Sequence, residues 1–170
     1  MKTNKHTRFL VMSALIAALY AAATYVSAAF GLAFGGIQFR ISEMFTVLPL
    51  FTPAAVPGLT IGCIIGNLAS PYGLADILLG SFATLVSSVC VYFTKNIKFH
   101  NVPILAPVFP TVFNGIIVGA EVAFFLPEGI SAAAFLISAA QVAFGEAVIC
   151  FGLGLPFSLF LQKEQFKSLF

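Results

Sequence analysis

Apolar residues run almost unbroken from residue 9 to residue 30 and recur in long blocks as far as residue 161. The blocks are continuous, without the alternation of a half-buried strand. A run of about 22 residues is long enough to cross a hydrocarbon core of about 30 Å. In lipid the backbone must satisfy its own hydrogen bonds, which leaves helices or a closed barrel. Continuous runs select helices. The pattern predicts helices over 9–29, 41–51, 56–69, 74–94, 103–126 and 131–161, in one membrane domain covering 1–170. The breaks are a glycine- and aromatic-rich loop at 31–40, TPAAVPG at 52–58, SPYG at 70–73, a basic loop at 95–101 and PEGIS at 127–131. Three prolines between 103 and 110 blur the start of the fifth helix. The last is long for one span, so it must tilt, kink near 152–156 or project into water.

Composition agrees. The chain has 170 residues, is 60% hydrophobic and has a mean hydropathy of +1.05. A soluble domain is about half apolar and about a quarter charged, whereas this chain has eight basic and six acidic residues. Its net charge of +2 gives no basis for nucleic-acid binding. The N-terminus imitates a signal peptide, but its apolar run is too long for one and reads as a retained first helix. Cys63, Cys90 and Cys150 lie singly in separate segments, without metal or redox spacing, and read as small core residues.

Loop charges set the expected topology. Six spans with a cytoplasmic N-terminus place Lys2, Lys5, Arg8, Lys95, Lys98, Lys163 and Lys167 inside and only Arg40 outside. Counting the short second and third helices as one broken span gives three inside and five outside. Six spans with both termini cytoplasmic is therefore the expectation.

Against this background, residues 35–49, GGIQFRISEMFTVLP, stand out, because they carry Gln38, Arg40, Ser42 and Glu43 between apolar runs. An ionisable pair at the membrane is a functional-site hypothesis by default; the alternative is a salt bridge tying a loop to a helix end. The expected topology puts Arg40, Glu43, Asn67 and Asp76 toward the outer side. It puts Glu121 in the outer third of the fifth helix and Asn114 on the same face two turns deeper. Gln141 lies a few turns into the last helix, and Glu146 near mid-span. These residues outline an outward-open cavity lined by carboxylates and amides. Glu121 could instead be neutral or paired with Arg40, and Glu146 could be a protonated carboxyl bonded to backbone. Small residues also repeat: Ala14, Ala18 and Ala22 on the first helix, and Gly58, Gly62 and Gly66 on the third. Such stripes let helices approach closely, within the chain or across to another subunit.

The chain has no G-x-x-x-x-G-K-[ST], H-E-x-x-H or G-x-S-x-G motif. His6 and His100 lie in basic segments away from the acids and read as solvated loop residues. No catalytic residue, metal site or cofactor is expected, and a binding subunit powered by partners fits better than a self-contained pump.

Four blocks carry a resemblance: FRISEMFTVLPLFTPAAVPGLTIGCIIGN at 39–67, YGLADILLGSFATL at 72–85, FNGIIVGAE at 113–121 and FGEAVICFGLGLP at 144–156. They resemble the QueT family, substrate-binding S components of energy-coupling factor (ECF) transporters associated with uptake of queuosine precursors. The resemblance covers nearly the whole chain after the first helix. It implies an all-α integral membrane protein with a six-helix S-component bundle, in the prokaryotic cell membrane. It implies partners, a transmembrane coupling (T) subunit and two ATPase subunits that use the ATP, and a docking role for Ala14, Ala18 and Ala22. The implied ligand is a 7-deazaguanine such as the 7-aminomethyl form, preQ1. The residues suit it: carboxylates accept from the guanine edge, amides meet O6 and ring nitrogens, and a second carboxylate meets the ammonium. Three other readings compete. They are an S component for another nutrient such as riboflavin or thiamine, a membrane enzyme using Glu121 and Glu146 as acid and base, and a structural protein whose polar groups glue helices together. The expected topology is checked by cysteine-labelling reporters. Those at Asn4 and Gln165 should react only from the cytoplasm and one at Gly129 only from outside; termini on opposite sides would remove the six-span arrangement.

Overall fold

The computed structural model describes residues 4–127 and 131–163, so Lys2, Gly129, Gln165 and Lys167 lie outside the described residues. Within them the chain is helical: α1 (Lys5–Ala29), a 3-10 helix (Ile41–Leu50), α2 (Ala55–Asn67), α3 (Leu74–Phe93), α4 (Leu105–Phe124), α5 (Ala132–Ile149), a π-helical turn (Cys150–Gly154) and α6 (Leu155–Leu161). Asn4 caps α1 by accepting from the His6 N–H. Gly31, at φ +71°, ends it in the left-handed conformation that glycine adopts without strain. Prolines cause no break in α4: Pro107 lies in the first turn, where no intrahelical N–H is needed, and Pro110 is carried inside.

By length and composition four helices can cross a membrane: Lys5–Ala29, Leu74–Phe93, Leu105–Phe124 and the continuous Ala132–Leu161. The other two are shorter. The predicted α-helix at 41–51 is a correction: it is a ten-residue 3-10 helix. At about 2 Å per residue it rises roughly 20 Å, less than the hydrocarbon thickness. Pro49 has no N–H to give to the helix in either winding, and the Thr46 hydroxyl donates to the Glu43 carbonyl at 2.6 Å. This helix occupies the middle of the bundle and packs against every other helical element. The long final helix is continuous through its proline and winds as a π turn over Cys150–Gly154. The widened turn brings Gly154 against Met44 and Val47 of the 3-10 helix.

Two seams of small residues set the spacing. On α2, a Cβ at Gly58 would stand 2.8 Å from the Ser13 carbonyl, one at Gly62 2.8 Å from both the Ala17 carbonyl and Tyr20 Cβ, and one at Gly66 2.9 Å from Thr24. Gly115 and Gly119 of α4 lie in the same way against Ala143 and Ala139 of α5. The buried face of α1 is Ser13, Ile16, Ala17, Tyr20, Ala21, Thr24 and Ser27. Ala14, Ala18 and Ala22 are exposed on another face, so the alanine stripe is not the packing face within the chain.

The body is inverted relative to a water-soluble domain. Large apolar side chains such as Leu10, Phe82, Phe93 and Ile137 point outward, and Arg40, Glu43, Asn67, Asp76, Asn114, Glu121 and Glu146 are buried. That distribution suits a body solvated by lipid, where burying the outer surface gains nothing and close packing holds helices together. Gly62→Val, which drives two methyl groups into α1, should lower stability by roughly 1–3 kcal/mol. Ala18→Leu, on the exposed stripe, should change it by less than about 0.5 kcal/mol. Thermal unfolding in detergent measures both, and equal midpoints would show that the glycine seam is not a tight one.

Candidate functional site

The polar core begins where the 31–40 loop returns to the bundle. The Ile41 N–H donates to Ser27 Oγ at 2.9 Å, pinning the start of the 3-10 helix to α1. Arg40 precedes it in extended conformation, with its side chain buried. Its guanidinium donates through an Nη to Asn67 Oδ1 at 2.8 Å and lies with Nε 3.9 Å from Glu43 Oε1. The Phe34 ring stands 5.7 Å from the guanidinium carbon, within cation–π range. Asn67, the last residue of α2, passes the connection on: its Nδ2 donates to the Asp76 carbonyl at 2.8 Å and to Asp76 Oδ1 at 3.2 Å. One amide thus binds the guanidinium with its oxygen and the start of α3 with its nitrogen. A Cβ at position 80 would be 2.7 Å from both Asn67 Nδ2 and Asp76 Oδ1, so a side chain there would push these two groups from their present places.

Glu43 and Glu146 link the two halves of the bundle. Tyr20, fully buried on α1, donates its hydroxyl to Glu43 Oε1, and one turn on Thr24 donates to Ser42 Oγ at 2.9 Å. On the far side, Asn114 Nδ2 donates to Glu146 Oε1 at 3.1 Å. The Cys150 thiol lies 3.6 Å from Glu146 Oε2 and 3.7 Å from the Glu43 carbonyl, bridging α5 and the 3-10 helix.

Glu121 is buried two turns along α4 from Asn114, and the charges of Asp76 and Arg40 act on it. Neither of its carboxylate oxygens has a hydrogen-bond partner among the described residues; nor do Glu43 Oε2, Asp76 Oδ2, Ser81 Oγ, Arg40 Nε and Gln38 Nε2. Buried polar atoms are ordinarily satisfied, because leaving one without a partner costs about 1–3 kcal/mol. Here several lie together on the polar core. They are mostly acceptors, and Arg40 is the buried basic side chain among four buried carboxyls.

The structure therefore gathers Arg40, Glu43, Asn67, Asp76, Asn114, Glu121 and Glu146 into one interior. Gln141 lies differently: it is half-buried, and a Cβ at Gly36 would stand 3.1 Å from its Oε1. Arg40 pairs with Glu43 and Asn67, and Glu146 takes its bonds from side chains rather than helix backbone. Cys150 and Cys63 are buried, but both contribute thiols to this interior, beyond the filling role their positions suggest. Sequence reasoning missed Tyr20 and Ser81, and it named Gln38 in the polar 35–49 stretch without placing it among the candidate site residues. For Tyr20 a signal existed: Ser13, Ala17, Tyr20, Thr24 and Ser27 recur every three or four residues and mark a buried polar stripe on α1. Gln38 had its place in the polar 35–49 stretch as a signal, whereas Ser81 had none. Among the described residues no three His, Cys, Asp or Glu side chains are grouped so as to hold a metal ion.

Comparison with known proteins bears on what this interior is for. A family profile described as QueT transporter matches residues 10–163. The protein described as "Queuosine precursor transporter QueT" of Lactococcus lactis subsp. cremoris (strain MG1363) is 37% identical over 86 residues, 51% of this chain and 50% of that protein. The matched stretch thus spans half of that relative's length. No solved structure matches the chain. These are names of transporters and not of enzymes, which sets aside the acid–base reading of Glu121 and Glu146. With the profile running from the second turn of α1 through α6 over a bundle of apolar spans, the chain is a multi-pass membrane protein that belongs to the QueT transporter family.

Proposed function

We propose that the chain is the substrate-binding S component of an ECF-type importer and binds a queuosine precursor, a 7-deazaguanine with a cationic arm such as preQ1. The observation that carries this reading is the buried surplus of carboxyl groups around a single buried guanidinium, with both Glu121 oxygens and one each of Glu43 and Asp76 unpartnered among the described residues. Three excess carboxylates in an apolar bundle are costly unless protonated or matched by a donor-rich cation. An aminomethyl deazaguanine supplies such donors: a ring N–H beside an exocyclic amine, and an ammonium. An anionic vitamin would meet repulsion in the same interior.

In this reading the chain crosses the membrane six times, its short 3-10 helix and α2 forming the second and third crossings, with both termini cytoplasmic and the polar core reached from outside. The chain itself holds no cofactor; a T subunit and two ATPase subunits use the ATP. Glu43, held by Tyr20 and Arg40, and Glu146, held by Asn114, are the fixed wall. Glu121 is the carboxylate with both oxygens to offer. The exposed Ala14, Ala18 and Ala22 are the face on which the T subunit docks, since small side chains permit close helix approach.

Glu121→Gln removes a charge-assisted acceptor in a buried site, so it should weaken binding of the aminomethyl compound by about 30-fold or more. The nitrile analogue, without the ammonium, should bind more weakly than the aminomethyl compound to the wild-type protein. Titration calorimetry on the isolated subunit reads both, and wild-type affinity in the variant would leave Glu121 as helix glue. The docking face has its own check. Ala18→Trp should abolish uptake in the assembled transporter while leaving ligand affinity of the isolated subunit unchanged. Loss of affinity together with uptake would place the stripe in the fold rather than at an interface.

A further inference from the structure

Gln38 has no part in the account above, yet the fold seats it firmly. It lies two residues before Arg40 and is 3% exposed. Its main chain is wedged against Gly145 of α5, where any side chain would collide with the Gln38 carbonyl. The next residue, Phe39, packs edge-on against Phe144 with centroids 6.5 Å apart, and its N–H donates to the Leu32 carbonyl at 2.8 Å. The loop is therefore held by α5 on one side and by its own hydrogen bond on the other, beside Glu146. A polar side chain fixed this deeply, with its Nε2 unpartnered among the described residues, calls for an acceptor.

The unpartnered atoms of this interior sort by chemistry. Glu43 Oε2, Asp76 Oδ2 and both Glu121 oxygens accept; Arg40 Nε and Gln38 Nε2 donate. Arg40 Nε already faces Glu43 Oε1 at 3.9 Å. Ser81 Oγ, a hydroxyl, can either donate or accept, so among these atoms Gln38 Nε2 is the one that only donates and is not committed to a charge. A guanine-type ring presents the converse pattern, two adjacent N–H donor groups and one carbonyl acceptor. A site built of carboxylates alone would repel that carbonyl oxygen.

We infer that Gln38 donates its side-chain amide to the carbonyl of the bound base and sets a preference for a 6-oxo over a 6-amino ring. The inference rests on the reading of the interior as a deazaguanine site. The two adjacent donors then face carboxylate oxygens, while the carbonyl faces the 31–40 loop. Replacing that carbonyl by an amine would set donor against donor at Gln38, a mismatch that a hydrogen-bonding site penalises more than an apolar one.

The test is calorimetric titration of the full purified chain with 7-aminomethyl-7-deazaguanine and with the same ring bearing an amine in place of the carbonyl. The wild-type protein should prefer the 6-oxo compound. Gln38→Leu should weaken the 6-oxo compound by about tenfold or more and the 6-amino compound by less than about threefold. Gln38→Glu, which keeps the shape but only accepts, should move the ratio further toward the 6-amino compound, and it reads the same quantity if the leucine variant does not fold. A ratio unchanged from wild type in the folded variants overturns the inference and leaves Gln38 a packing residue. Wild-type protein that binds neither compound overturns the deazaguanine reading itself, and this inference with it.

Discussion

A guanidinium buried in an apolar bundle has to be satisfied, and the arrangement of this protein follows from how Arg40 is. Isolating such a charge from water costs several kcal/mol unless it is both paired and hydrogen-bonded. Arg40 receives Glu43 from its own helix and Asn67 from the end of α2, and Asn67 in turn holds the first turn of α3. One residue thereby fixes where three elements begin or end. Gly80 leaves the room in which Asn67 and Asp76 make this contact.

The 3-10 helix is the physical means of bringing these groups inward. Facing lipid, Glu43 and Thr46 would find no hydrogen-bond partners. A short helix in the middle of the bundle, touching every other element, instead turns Ser42, Glu43 and Thr46 toward neighbours that bond them. Lipid provides no hydrophobic drive to close the shell around it. Glycine seams between α1 and α2 and between α4 and α5 do so by letting backbones meet. The π turn performs a similar service in the last helix, widening it where Gly154 meets Met44 and Val47.

The result is a polar interior with more acceptors than the described residues satisfy, inside a lipid-compatible exterior. On the proposed reading, the ligand completes this hydrogen bonding, which links affinity to the same network that holds the fold. Helix α1 then serves two surfaces. Tyr20 and Thr24 reach Glu43 and Ser42 on one face, and Ala14, Ala18 and Ala22 lie exposed on another.

Much of this was legible in the chain. Hydropathy is a local property, so the helices were predicted to within a few residues, and the scarcity of polar groups made the buried ones stand out: the charged Arg40, Glu43, Asp76, Glu121 and Glu146 and the amides Asn67 and Asn114 were all singled out from position, and all seven are buried. Other features depend on contacts between residues far apart in sequence. The winding of 41–50 was decided by its place at the centre of the bundle. The half-buried place of Gln141 beside Gly36, the pairing of Asn67 with Arg40 and of Asn114 with Glu146, and the recruitment of Tyr20 and Gln38 all depend on which faces meet. A sequence records which side chains can donate or accept. Only the packed backbone, through the glycines that let it close, decides which donor reaches which acceptor and which are left for another molecule.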